Sequence, residues 1–541
     1  MSTSNLTQPA RFHVFDTTLR DGAQQEGLRL SVPDKLRIAG YLDELGVGYI
    51  EGGWPGANPN DTAFFAAATA GELTLHNAQL VAFGATRRVG GKAADDPLVT
   101  ALRDSGAGTV CLVAKAHVRH VEQALRTTRE ENLAMITDTV SHLRAEGQQV
   151  FVDCEHFFDG YRLDPGYALE VVRTAGAAGA DVVVLCDTNG GMLPSWMGEV
   201  VQAASAVGVD LGVHCHNDTG CAVANTLAAV EAGVMHIQGT INGYGERTGN
   251  AELISVVSNL ELKYGWSVLP PGALTEATRL SHAIAEVTNV PLSARQPYVG
   301  QSSFAHKAGL HASAIRVDPN LYQHIDPALV GNDMRMLVSD MAGRANIQIK
   351  GEQLGFDLSD RDLAARITAL VKLREADGYT YEAADASFEL LLRAELDDLP
   401  EFFAVQSWRV FTSSHDGDQT DTEATVKLSA RGASLRVVGE GNGPVNALDQ
   451  AVRGALAPAY PVVQTFELSD YKVRIIDSGH GTDAKVRVLI DTSCGPRQWT
   501  TVGVGTNIIE ASWEALFDAY RFGLIHTDVP QLSAAPVRVG V

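Results

Sequence analysis

The chain has 541 residues, 45% hydrophobic and 20% charged, with a formal charge of −23 from 42 basic and 65 acidic side chains. Single cores stop growing near roughly 250–300 residues, so two or three domains are expected. The acidic balance argues against nucleic acid or an anionic membrane as partner, and no run of about 18 apolar residues offers a membrane span. The six cysteines (Cys111, Cys154, Cys186, Cys215, Cys221 and Cys494) form no C-x-x-C pair. They read as reduced thiols of a cytoplasmic protein, not as a disulfide or zinc framework. Residues 1–10 are polar, lack a basic-then-apolar signal pattern and read as a loose tail.

From there a unit repeats: a short apolar run ending in polar residues, then a helical pattern. The runs are Phe12–Phe15, Val47–Glu51, Gln79–Phe83, Thr109–Val113, Val150–Cys154, Asp181–Cys186, Leu211–Cys215 and Met235–Gln238. Helix-like segments lie between them, among them Pro33–Leu45, Asp96–Asp104, Val118–Ala145, Pro165–Ala178, Ser195–Ala206, Thr219–Ala232 and Asn250–Leu262. Strands alternating with helices pair in parallel through right-handed crossovers. Eight evenly spaced units predict a closed (β/α)8 TIM barrel over 11–268.

Residues 269–400 lose the alternation and predict helical linker subdomains, with helices at Leu274–Val287, Asp360–Ala376 and Ala383–Glu395. Residues 401–541 predict an α+β domain with an internal duplication. Ala424–Leu456 and Ala484–Tyr520 each run strand, turn, strand, glycine break, helix. The breaks, Gly439 to Gly443 and Gly503 to Gly505, match no phosphate-binding fingerprint, and a tight strand-to-helix turn is the expected role.

In such a barrel, chemistry sits at the C-terminal ends of the strands. Strand seven ends Val213-His214-Cys215-His216-Asn217-Asp218. Alternate strand residues share a face, so His214 and His216 project together, as a divalent transition metal requires. After strand one, Arg20-Asp21-Gly22 offers a carboxylate that completes two imidazoles and one acid with open positions. Arg20 can stabilise a developing oxyanion. Glu155 after strand five can serve as an acid or base, and Thr188 after strand six can bind a substrate carboxylate. After strand eight, Gly243 to Gly249 allows close backbone approach to a ligand, and Asn250 can add an oxygen ligand or anchor the site.

Leu19-Arg20-Asp21-Gly22, His214-Cys215-His216-Asn217-Asp218 and Gly243 to Asn250 together resemble the α-isopropylmalate, homocitrate and citramalate synthase group, over nearly the whole chain. Glu51-Gly52-Gly53-Trp54-Pro55-Gly56-Ala57-Asn58-Pro59 resembles the citramalate branch. The resemblance implies acyl transfer from acetyl-CoA, the cosubstrate, to pyruvate. It implies a divalent ion (Mn, Zn or Mg) on Asp21, His214 and His216 with Asn250 at or near it, and Arg20 and Glu155 as catalytic groups. It places Thr188 on the keto-acid carboxylate. His306 to His311 and Asn320-Leu321-Tyr322 are similar to the group's linker, where His311 is the catalytic histidine and Tyr322 its tyrosine, reaching across a homodimer. Ala312-Ser313 replaces the usual Gln-Asp. The C-terminal repeat resembles the allosteric domain, with isoleucine the implied effector. Acyl-CoA lyases share the barrel but usually carry a cysteine in the loop after strand eight; Gly243–Asn250 has none. An isopropylmalate or homocitrate synthase within the same group, and a non-catalytic amino-acid sensor on a decayed barrel, are the remaining alternatives.

Overall fold

The computed structural model describes residues 8–339, 341, 343–415, 419–476 and 483–527. Most of the expected 1–10 tail and the end of the expected 401–541 domain lie outside the described residues. Two compact units emerge, one running to Phe304 and including Ile325–Met334, the other comprising Ala305–His324 and the residues from Arg335 onward.

The first unit is a closed eight-stranded parallel barrel: β1 (His13–Asp16), β2 (Tyr49–Gly53), β3 (Gln79–Ala85), β4 (Thr109–Lys115), β5 (Gln149–Glu155), β6 (Val182–Asp187), β7 (Leu211–Cys215) and β8 (His236–Gly239). Closure comes from β1 pairing with β8, Phe15 opposite Gln238 and Asp16 opposite Gly239. The eight expected runs match these strands to within two residues at each end. Such strands are buried on both faces, so their sequences are continuous apolar runs; β6 is buried at all six positions. Phe15, Tyr49, Val81, Phe83, Cys111, Phe151, Val184 and Cys186 fill the interior as a packed core. Cys111, Cys154, Cys186 and Cys215 are buried free thiols; Cys221 and Cys494 are part-exposed ones.

The surrounding helices begin where capping residues stand. At α1 (Val32–Leu45), Ser31 and Asp34 form a reciprocal capping box, and Gly46 ends the helix at φ 87°. A helix the apolar pattern did not reveal, α2 (Pro59–Ala67), starts at Asn58, whose side chain accepts the Asn60 N–H. The single helix expected over Val118–Ala145 is interrupted. After α3 (Pro97–Arg103), one irregular turn at His120–Ala124 is followed by Arg126 at φ 55°. Thr128 then caps α4 (Arg129–Ala145) through the Glu131 N–H. Residues 269–304 stay with the barrel. The helix Ala277–Thr288 buries Leu280 and Ile284 in the barrel's outer core.

The second unit joins linker helices to two three-stranded antiparallel sheets, Phe403–His415, Gln419–Ala430 and Ala433–Gly441, then Glu467–Ile475, Val486–Cys494 and Arg497–Gly505. Each sheet is followed by a helix, Pro444–Leu456 or Ile508–Ile525. The duplication is present, and each copy has one more leading strand than its apolar pattern revealed. Glu467–Ile475 is exposed at eight of nine positions, although Tyr471, Val473 and Ile475 alternate with Lys472 and Arg474 as a strand's residues do. The glycine breaks permit close helix-on-strand packing. A Cβ at Gly439 would collide with backbone at Ala451 and Ala447, and one at Gly503 with Ala511.

Candidate active site at the barrel mouth

The loop after β1 is set by a buried acid. Asp16 is fully buried and accepts hydrogen bonds from the Thr18 N–H (2.8 Å) and hydroxyl (2.9 Å). Burial pushes its carboxyl up to about 7, partly opposed by these bonds. The Thr18 hydroxyl accepts the Ile241 N–H (2.9 Å), tying this loop to the one after β8. The Thr17 carbonyl accepts from both Arg20 N (3.1 Å) and Gly22 N (3.0 Å), and this turn presents Arg20 and Asp21 inward.

Asp21 Oδ2 lies 3.2 Å from His214 Nε2 and 3.6 Å from His216 Nε2, and the two Nε2 atoms are 3.2 Å apart. Two ligands at about 2.1 Å from one ion stand about 3.0 Å apart at a right angle and about 3.4 Å at the tetrahedral angle. The donor set therefore fits a divalent ion. All three side chains are buried. Burial opposes ionisation of Asp21, but Arg20 and the two histidines outweigh it and hold the carboxyl well below its ordinary range. Burial and then His214 push His216 down to about 4.

Asn250 pairs with His216 through a backbone bridge. Its Nδ2 donates to the Tyr244 carbonyl (3.0 Å), while its buried Oδ1 accepts nothing among the described residues. An orphaned buried oxygen costs free energy that a ligand can recover. Arg20 is clamped by Glu51, to which its Nε donates at 2.6 Å, and stacks 3.9 Å over the Phe83 ring. Arg20 also lies 3.4 Å from Asp21.

Glu155 stands at the end of β5, ion-paired with Lys115 of β4. The Thr188 hydroxyl accepts the His156 N–H (2.8 Å), and its carbonyl accepts from Arg247 (2.8 Å). The hydroxyl proton is left to donate. His311 and Tyr322 belong to the second unit, with ring centroids 4.1 Å apart in a stacked pair.

Sequence reasoning missed three buried groups: Glu51, Asp153 and Gln238. Glu51, Cys111 and Asp153 gather within 4.8 Å, a second cluster of metal-capable type. Its acids are already engaged, Glu51 Oε2 by Arg20 and Asp153 Oδ1 by Gln238 Nε2 (3.0 Å). Burial pushes Glu51 up to about 7 even against Arg20. Strand parity would have found all three: Glu51 follows Tyr49, Asp153 follows Phe151 and Gln238 follows His236 by two residues, on the inward face.

A family model described as HMGL-like matches residues 11–284. One described as homocitrate synthase post-HMGL domain-like matches 298–377, and one described as LeuA allosteric (dimerisation) domain matches 382–524. A protein of Streptomyces coelicolor named (R)-citramalate synthase is 64% identical over 521 residues, 96% of this chain and 97% of that protein. The chain belongs to the (R)-citramalate synthase family. A second (R)-citramalate synthase, from Synechocystis, is 47% identical over 96% of this chain and 97% of its own length. Among solved structures, an HMG-CoA lyase from Acenitobacter baumannii is 22% identical, with a TM-score of 0.43, covering 53% of this chain and 93% of that one. The expected family and the barrel fold are both borne out, and membership of the (R)-citramalate synthase family makes the chain an acyl-transferring enzyme. No described helix is long and apolar enough to cross a membrane.

Proposed function

We propose that this chain condenses acetyl-CoA with pyruvate and hydrolyses the thioester, giving citramalate and CoA. The observation that carries this reading is the convergence of Asp21, His214 and His216 beside the clamped guanidinium of Arg20. Those three side chains, with Asn250 as a neutral oxygen donor, are assigned to one divalent ion of the Mn, Zn or Mg type. Such an ion supplies Lewis acidity to the oxygens of an α-keto acid.

The chain's own groups do the rest. Arg20 cannot lose its proton, and Glu51 and Phe83 hold it in one orientation, so it is a preorganised donor to the oxygen on which charge develops. Thr188 donates its hydroxyl proton to the keto-acid carboxylate. Glu155 is assigned proton handling at the methyl group of acetyl-CoA, shared with His311 of the partner subunit as the family resemblance implies; within each chain Tyr322 stacks on His311 and orients it. The second unit is assigned effector binding, with isoleucine the expected ligand, and dimer formation. Phe411, Val438, Val473 and Ile475 leave apolar surface exposed on its sheets, as a face that meets a second copy requires.

The test is CoA release measured with pyruvate, 2-oxoisovalerate and 2-oxoglutarate, each with and without chelator. Pyruvate is expected to dominate and chelation to abolish turnover. Faster turnover of 2-oxoisovalerate would make the chain an isopropylmalate synthase instead.

A further inference from the structure

His214 meets more than its neighbours in the triad. Its Nδ1 lies 2.9 Å from Gln238 Oε1, and Gln238 is not free to turn. Gln238 Nε2 donates to Asp153 Oδ1 at 3.0 Å and lies 3.4 Å from His236 Nε2. Reversing the amide would set its oxygen against the Asp153 carboxylate and against His236, and its NH2 against His214. The buried contact with the Asp153 carboxylate would then set oxygen against oxygen and be repulsive. The amide therefore has one orientation, with its oxygen toward His214, and only an Nδ1–H satisfies that oxygen. A neutral imidazole holds one proton. With that proton on Nδ1, the Nε2 lone pair is left aimed at Asp21 and His216.

We propose that Asp153, Gln238 and His214, on strands β5, β8 and β7, form a relay that locks His214 in the Nδ1–H tautomer. Gln238 and Asp153 are thereby positioning residues for the ion, two and three groups removed from it. The inference rests on the reading that the triad holds a divalent ion. It adds the means by which the barrel interior prepares one ligand in advance. Gln238 also keeps the Asp153 carboxylate off the imidazole, so the ligand set gains orientation without a second anion.

The test uses the full-length chain stripped of metal and titrated with Co2+, read by visible absorption, with thermal melts of the metal-free proteins alongside. Gln238→Met keeps the volume and removes the acceptor; it is expected to weaken Co2+ binding by about 10–100-fold, the usual cost of losing a ligand's supporting partner. Gln238→Glu keeps an oxygen opposite Nδ1, so its affinity stays near native. A second carboxylate beside Asp153 nevertheless lowers the metal-free melting temperature more than Met does. The two readouts thus rank the variants in opposite orders, whereas a purely structural role ranks them alike. Asp153→Asn lets the amide turn and is expected to fall between; it carries the test if Gln238→Met does not fold. Native-like affinity in Gln238→Met, or equal losses in Met and Glu variants, overturns the relay. If native protein binds Co2+ no better than Asp21→Ala does, the metal reading itself fails, which is a separate result.

Discussion

Asp21 Oδ2 stands 3.2 Å from His214 Nε2, though they lie 193 positions apart in the chain, and both side chains are buried. Barrel closure makes the contact, because β1 lies next to β8 and β8 next to β7. Three donors, one from the loop after β1 and two from the end of β7, thus share one small volume. Replacing Asp21 by Ala, or either histidine by Ala, is expected to lower kcat by about a thousandfold or more, since metal-supplied charge stabilisation is worth several kcal/mol. Turnover within tenfold of native in any of the three, with metal content measured on the same samples, contradicts the assignment.

The Arg20–Glu51 pair makes a second prediction. Lysine at position 20 carries the charge but lacks the planar fork that Glu51 and the Phe83 face hold. Arg20→Lys is expected to lose about 10²–10³-fold in kcat, the scale of one oxyanion donor, with little change in metal affinity. Glu51→Gln should lower kcat in the same direction by less, because an amide oxygen still accepts from the guanidinium. Steady-state kinetics with pyruvate on both variants checks this.

Removing everything after Leu399 is expected to abolish inhibition by isoleucine. The fold adds a cost. Val502 and Leu489 pack with Tyr379 and Phe388 of the linker, and the Val502 N–H donates to Ser387 Oγ at 3.0 Å. The shortened chain should therefore melt several degrees lower. Dose–response curves with isoleucine, taken at a temperature where both proteins remain folded, decide it; undiminished inhibition would remove effector binding from this module.

Asp518 gives a pH prediction. Burial, then Glu514, pushes its carboxyl from 3.8 up to about 7, against the pull of Arg521. Between those values the folded state holds a proton that the unfolded state has lost, so its contribution is fully present below about 4 and disappears as pH rises through about 7. Asp518→Asn should raise stability at pH 8 by on the order of 1–2 kcal/mol and change little near pH 4. Thermal melts at the two pH values test the sign, and a gain confined to the acid side would reverse it.

Much of this protein could be read in advance. Eight apolar runs became eight strands because parallel barrel strands are buried on both sides, so burial writes itself into consecutive residues such as Val182 to Cys186. The pair His214 and His216 was legible because a two-residue spacing on a strand fixes a common face. Local signals failed where local chemistry is ambiguous. Thr128 looked like helix interior until its side chain capped α4, and the alternation of Tyr471, Val473 and Ile475 with Lys472 and Arg474 was too short a signal beside the polar Glu467, Ser469 and Asp470 to mark Glu467–Ile475 as a strand.

The sequence alone determined the order of the eight barrel strands, their inward faces and which residue types arrive at the strand ends, since these follow from periodicity along the chain. Only the tertiary structure decided that Glu51 grips Arg20 and that Gln238 stands between Asp153 and His214. Those contacts join residues of different barrel units, far apart in the chain. Ring closure and register, which involve all eight strands at once, fix the distance between such groups, and no stretch of neighbouring residues encodes it.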